Sequence, residues 1–370
     1  MSRLSTLSFT LALYFAFMFP DAALAQRHME YLDRGLVAVH TGGDSVYVGW
    51  RLLGTEPENI TFNLYRKAGG SKPVKLNKKP ITESTNFIDT GVNLAQANAY
   101  FVKPVLNGKE QKASETVTVW EQNYLSVPLQ TPTGYTPNDA AVADLNGNGQ
   151  YEIVVHMTGR SRDTPSNGFT DEPIFHAYKL DGTLLWKINL GKNIREAHLG
   201  AEMWWSASGR LYSIKGKRIG NSPRSTNFLV WWDGDLTREL LDGNHIDKWD
   251  YENEKEVRLF TAEGTSSNNG TKANPALSAD LFGDWREEVV FRTNDNKSLR
   301  IYTTTIPTRH RLYTLMHDPQ YRLSIAWQNV GYNQPPHTSF YLGHDMKKPP
   351  KPNITVPNNQ DSKIKAKAMK

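Results

Sequence analysis

The chain has 370 residues, 0 cysteines, a net charge of +5 and a pI near 9.0. Its length supports two or three domains with a substantial core, and the lack of cysteine excludes disulfides, thiolate metal sites and a lipid-modified cysteine. The mild basic excess suits a polyanionic substrate, and no nucleic-acid motif accompanies it.

Residues 1–25 read as a secretory signal peptide. Arg3 precedes the apolar run Leu11–Phe19, and Ala23-Leu24-Ala25 sets a cleavage point before Gln26. That run is shorter than the roughly 20 residues a membrane span needs. No later segment is apolar enough to cross. A secreted or periplasmic bacterial protein is therefore expected, held together by core packing and metal ions in place of disulfides.

Residues 26–122 carry short alternating runs at Val46–Trp50, Phe62–Tyr65, Tyr100–Val102 and Thr116–Trp120, with Asn107-Gly108 as a two-residue hairpin turn. The spacing predicts a β-sandwich of the fibronectin or immunoglobulin type. Helical periodicity is hard to find anywhere, so the fold class is all-β.

From about residue 123 to 345 the texture changes to strand-turn-strand units rich in Trp. Examples are Ala177–Trp186, turning at Asp181-Gly182, and Leu229–Asp235, turning at Asp233-Gly234. Acidic loops feeding such hairpins predict β-propeller blades, and at about 40–50 residues each the stretch holds four or five blades' worth of chain. Residues 346–370, ending in Lys363, Lys365, Lys367 and Lys370, read as a basic flexible tail.

Two loops repeat one another. Ala143-Asp144-Leu145-Asn146-Gly147-Asn148-Gly149-Gln150-Tyr151-Glu152 recurs as Ala279-Asp280-Leu281-Phe282-Gly283-Asp284-Trp285-Arg286-Glu287-Glu288. Asp144, Asn146, Asn148 and Glu152, with the Gln150 carbonyl, can converge on one Ca²⁺; the alternative is an Asx-rich turn that satisfies its own backbone. Phe282 removes one donor from the second copy, leaving Asp280, Asp284 and Glu288. Zinc is disfavoured without cysteine or close histidine pairs. A third copy is broken: Glu202 in Gly200–Trp204 stands in the acidic position without its front half, which marks a join where chain has been lost.

A polar loop, Ser266–Lys272, and the later run Trp327–His337 crowd amides, hydroxyls, aromatic faces and an ammonium. That mixture suits sugar hydroxyls, pyranose faces and a carboxylate; two surface turns are the other reading.

The runs 142–155, 176–195, 231–236, 267–272, 279–288 and 316–343 resemble rhamnogalacturonan lyases of polysaccharide lyase family 11, and the resemblance covers nearly all of the mature chain. It implies an N-terminal sandwich-like domain, a calcium-stabilised propeller, and cleavage of the pectic polysaccharide rhamnogalacturonan I by β-elimination. By resemblance Asn269, Gly270 and Thr271 would hold rhamnose. Lys272 would face the uronate carboxylate or serve as base, and Tyr332 and Asn333 would line the same cleft. Which of Lys272, Tyr332 or a histidine takes the proton stays open, with His317 and His337 unassigned. After Glu196 the family pattern continues through further blades, whereas here Ala197-His198-Leu199 leads at once into Gly200. A propeller lacking several blades is expected, in a monomer. A non-catalytic pectin-binding or degenerate fragment is the alternative.

Overall fold

A computed structural model describes residues 26–163, 168–192, 197–198, 210–212, 215, 217–328 and 334–357. The expected signal segment, the broken loop copy at Gly200–Trp204, and Tyr332 and Asn333 lie outside the described residues.

Strand alternation builds the N-terminal sandwich. One sheet pairs Val37–Gly42, Ser45–Gly49 and Asn86–Asp89; the other rests on Thr61–Ala68 against Asn98–Leu106. Because successive side chains point to opposite faces, Ala38, Val46 and Val48 enter the core between the sheets with Trp50, Phe62, Leu64, Tyr100 and Val102. Their neighbours Val37, Val39 and Tyr47 point the other way and pack beside Trp120 and Phe282. Each fully buried apolar side chain of this kind contributes roughly 1.5–3 kcal/mol. Asn107 and Gly108, with φ of 50° and 75°, make the tight turn from Leu106 to Lys109 that the Asn-Gly pair predicts.

The rest of the described chain carries three larger antiparallel sheets. The first runs Thr136–Ala143, Glu152–Thr158, Ile174–Lys179, Leu184–Asn189, and the second Phe228–Val230, Glu239–Asp242, His245–Asp250, Lys255–Thr261. The third pairs Leu277–Ala279 and Thr265–Ser266 with Glu288–Thr293, then Ser298–Tyr302, then Tyr124–Pro128. Its outermost strand thus comes from far earlier in the chain, with Tyr124 opposite Tyr302 and Pro128 opposite Ser298.

The third sheet lies between the other two. Val290, Leu299 and Ile301 share a core with Val142, Ile153 and Val155 of the first sheet, while Val289, Phe291 and Tyr302 share one with Phe228, Val230, Leu241 and Ile246 of the second. Period-two alternation places the two sets on opposite faces. The architecture is all-β, as the sequence predicts. The propeller itself is not shown: these are separate sheets, and none of them closes on itself.

Two local expectations change. Asp233-Gly234 is not a two-residue hairpin turn, because it sits in a longer loop joining Phe228–Val230 to Glu239–Asp242. Part of the expected tail is ordered, since Ile354–Thr355 pairs in parallel with Arg27–His28. Among the described residues the single α-helix is Pro319–Ala326, started by the Asp318 carboxylate accepting from the Tyr321 N–H at 2.8 Å. No described helix is long and apolar enough to cross a membrane.

Candidate active site and acidic loops

The polar loop 266–274 is held against the first strand of the first sheet. That strand shifts register between Pro137 and Ala140, and the irregularity turns Asn138 and Asp139 toward the loop. Asn269 Nδ2 donates to Asp139 Oδ1 at 3.1 Å and Oδ2 at 3.2 Å, and to Asn274 Oδ1 at 3.0 Å. Both amide hydrogens are thereby engaged, which leaves Oδ1 as the group Asn269 can offer a ligand. Asn138 Nδ2 reaches that Oδ1 at 3.4 Å and Thr158 Oγ1 at 3.1 Å. Arg292 Nε donates to Asn268 Oδ1 at 3.2 Å. The ring of His156 stacks on Phe175 with 4.9 Å between centroids.

Left-handed backbone at Asn269, Gly270 and Ala273 folds the loop into a single 3₁₀ turn, Gly270–Lys272. The Ala273 carbonyl accepts from Gly243 N at 2.9 Å, tying the loop to the second sheet as well. Asn269, Gly270 and Lys272 therefore sit where all three sheets meet, with Lys272 half-buried. The Thr271 side chain is outside the described set. Sequence reasoning missed Asn138 and Asp139. Asp139 is buried, and the loss of water pushes its carboxyl up to about 7, against the lowering effect of Asn269 donation.

His317 is a core residue. Its Nδ1 accepts from the Gly54 N–H at 2.9 Å, and burial lowers it to about 4, so it is neutral at pH 7. His337 is exposed, its carbonyl accepting from Gln320 at 3.4 Å.

The first acidic loop is closed by its own acids. Asp144 accepts from Asn148 N at 3.0 Å and Gly149 N at 2.8 Å; Glu152 accepts from Leu145 N at 2.8 Å and also bonds Asn146. The Asn148 carbonyl oxygen of the side chain accepts from Gln150 N at 2.8 Å. Burial raises both carboxyls, Asp144 further raises Glu152, and no described lysine or arginine donates to either. Lys179, opposite Glu152 on the next strand, lowers that carboxyl through its field but is exposed and donates no described hydrogen bond to it, so an all-oxygen set with two crowded acids fits a hard divalent ion.

The second loop is different. Asp280 Oδ2 accepts from Thr314 Oγ1 and Leu315 N, both at 2.7 Å, and burial pushes that carboxyl up to about 7. Asp284 faces Arg286, whose Nε and Nη2 lie at 3.0 Å and 2.9 Å, and also accepts from Tyr47 Oη at 3.0 Å. Glu288 accepts from Leu281 N, Phe282 N and Thr303 Oγ1. These three acids each have their own partners, and they are not the trio that converges. Among the described residues, the group whose ligand atoms lie within 4.8 Å of one another is Asp233, Asp235 and Glu239.

That trio reveals a third intact copy of the loop. The residue pairs that open and close the three loops, Ala143↔Glu152, Val230↔Glu239 and Ala279↔Glu288, are cross-strand partners in the same register. Glycine recurs in the fourth place as Gly147, Gly234 and Gly283, and the closing glutamate is buried each time. Each glutamate accepts N–H groups from the loop's second or third residue: Leu145; Trp232 and Asp233; Leu281 and Phe282. The copy escapes a sequence reading because Trp231 stands where Asp144 and Asp280 stand.

A sandwich followed by sheets with recurring acidic loops, and an amide-rich loop where they meet, defines an all-β protein built for a polar ligand. The family model described as "Rhamnogalacturonan lyase family 11, C-terminal domain" matches residues 124–199 and 196–352, and "Rhamnogalacturonan I lyases beta-sheet domain" matches 27–120. Rhamnogalacturonan endolyase YesW of Bacillus subtilis (strain 168) is 32% identical over 594 residues, covering 90% of this chain and 94% of that protein. Rhamnogalacturonan exolyase YesX of the same organism is 30% identical over 607 residues. The crystal structure of YesW covers 90% of this chain with a TM-score of 0.82, and that of the Bacillus licheniformis rhamnogalacturonan lyase 89% with 0.81. The chain belongs to rhamnogalacturonan lyase family 11. The YesW alignment runs over 594 residues and this chain has 370, so more than a third of its positions have no counterpart here. The two pieces of the C-terminal match meet at residues 196–199, beside the join expected from the broken loop copy.

Proposed function

We propose that this chain degrades rhamnogalacturonan I by β-elimination at the rhamnose–galacturonate backbone. In that reaction a base removes the C5 proton of galacturonate, the C4–O bond breaks, a C4=C5 double bond forms, and the departing oxygen takes a proton. Neutralising the uronate carboxylate makes the C5 proton removable. Lys272 is assigned to that carboxylate or to the C5 proton, with Tyr332 as its catalytic partner. Asn269 Oδ1, the Gly270 backbone, Thr271 and Asn333 are assigned to the sugars. Membership of the family over both parts of the chain is the observation that carries the reading. The placing of Asn269 and Lys272 at the junction of three sheets supports it.

Asp144, Asn146, Asn148, Gln150 and Glu152 are the residues that would hold Ca²⁺, and its role there is to tie a loop between strands. The three sheets are read as blades of a shortened propeller that follows a sandwich at 26–122, and the first 25 residues as an export signal. A secreted monomer acting on pectin follows.

The test is to incubate the purified chain with rhamnogalacturonan I and calcium and to record the ultraviolet absorbance of the unsaturated uronate. A rising trace that Lys272→Ala lowers by about 10²–10⁴-fold is expected. A flat trace beside an active full-length relative would overturn catalysis. Retention on immobilised rhamnogalacturonan without turnover would identify a binding fragment.

A further inference from the structure

The third acidic loop already contains a cation, and it belongs to the chain. Lys248 Nζ lies 2.5 Å from Asp233 Oδ2, 2.5 Å from Asp235 Oδ2, 3.1 Å from Glu239 Oε1 and 3.5 Å from Thr237 Oγ1. These are the third, fifth, ninth and seventh places of the loop. In the first loop the same places are held by Asn146, Asn148, Glu152 and Gln150. One ammonium thus occupies the centre on which an oxygen cage of this register converges.

The geometry does not depend on a wandering side chain. Lys248 projects from His245–Asp250, and that strand pairs with Glu239–Asp242, which closes the loop; Leu240 is opposite Asp247. The strand next to the cage therefore carries the charge into it. An ammonium has three donors and no need for a full coordination shell, so three carboxylates around it satisfy it. A divalent ion would need the same oxygens at 2.3–2.6 Å and could not share the space. Burial, and then the neighbouring Asp233, raise the Glu239 carboxyl to about 7, and the Lys248 charge opposes that rise.

We propose that Lys248 is a built-in substitute for a divalent cation. On this reading loop 231–239 binds no metal and holds its shape independently of calcium, whereas removing Lys248 converts it into a new divalent-cation site. The assignment concerns a loop outside the amide-rich junction and stands or falls separately from the lyase reading.

Calcium bound per chain, measured by equilibrium dialysis with radioactive calcium, tests it on the full chain. Thermal unfolding in calcium and in chelator supplies the second readout. Wild type and Asp235→Asn should bind the same number of ions. Lys248→Ala should bind one more, should gain several degrees in Tm from calcium beyond the wild-type shift, and should lose both in combination with Asp235→Asn. Folding of Lys248→Ala in calcium but not in chelator would count in favour. Loss of one ion by Asp235→Asn alone would overturn the proposal, and that arm decides the matter even where Lys248→Ala fails to fold. A folded Lys248→Ala that gains no ion would also overturn it.

Discussion

Asp139 is the residue where burial and chemistry conflict most directly. It lies under Asn269, whose amide donates to both of its carboxylate oxygens, and burial pushes it up to about 7. The native state therefore holds a proton that the unfolded chain releases above its ordinary value of 3.8. Between those two values the folded form binds more protons, so stability falls as pH rises through the window and is greatest below it. A shift of this size corresponds to at most about 4 kcal/mol. Asp139→Asn, which keeps an oxygen for Asn269, should flatten the dependence of denaturation midpoint on pH between about 4 and 7. An unchanged difference between wild type and variant across that window would remove the charge argument.

The loops are the elements on which sequence and structure can be compared most closely. Asp144 to Glu152 and Asp280 to Glu288 were legible because the same residue types return at the same spacing. What each loop does with its acids was not, since the deciding partners are distant: Tyr47 and Asn86 for Asp284, Thr314 for Asp280, Lys248 for the third copy. A repeat shows which positions are equivalent, and only tertiary contact shows which cation answers them. The amide cluster around Asn269 was half legible for the same reason. Its loop stands out by composition, but Asn138 and Asp139 face it only because a strand irregularity turns them.

Two outcomes follow at this scale. Chelator should lower the Tm of wild type through the first loop, and Asp144→Asn should remove that shift; saturation a hundredfold above Kd corresponds to about 2.7 kcal/mol. An equal chelator effect in both proteins would place calcium elsewhere. Gly283, at φ 64°, donates its N–H to the Gly35 carbonyl at 2.8 Å, and an added Cβ would stand 3.3 Å from Val37 Cγ1. Gly283→Ala should cost about 1–2 kcal/mol in backbone strain, read as a lower urea midpoint at constant slope. No change would mean that the sandwich and the loop part more easily than their contact implies.

For the whole molecule, charge and apolar surface are distributed unevenly. The sandwich is locked to the third sheet by Arg286, 1% exposed, which bonds Asp284 and reaches Tyr47, and by Arg51, which bonds the Leu281 carbonyl. Among the described residues the first sheet, by contrast, ends in Leu184–Asn189, where Leu185, Trp186 and Ile188 are exposed. An apolar outermost strand is a template for further pairing. Concentration-dependent light scattering should therefore be seen, and Ile188→Lys should suppress it without shifting Tm by more than about 1 kcal/mol equivalent. Scattering that ignores the substitution would acquit this edge.

The strand Tyr124–Pro128 has a consequence of its own. It completes the third sheet by reaching across nearly half of the chain to Ser298–Tyr302, so that sheet is fastened at its ends in sequence and is silent about what lies between them. Units can be spliced out of the intervening stretch without breaking a single bond of that clasp. The fastening also has a cost in time, for the early strand must wait, unpaired, until its late partner has been synthesised. The clasp survives editing of the interior so long as both faces of the third sheet stay covered, and it is most vulnerable before the chain is finished.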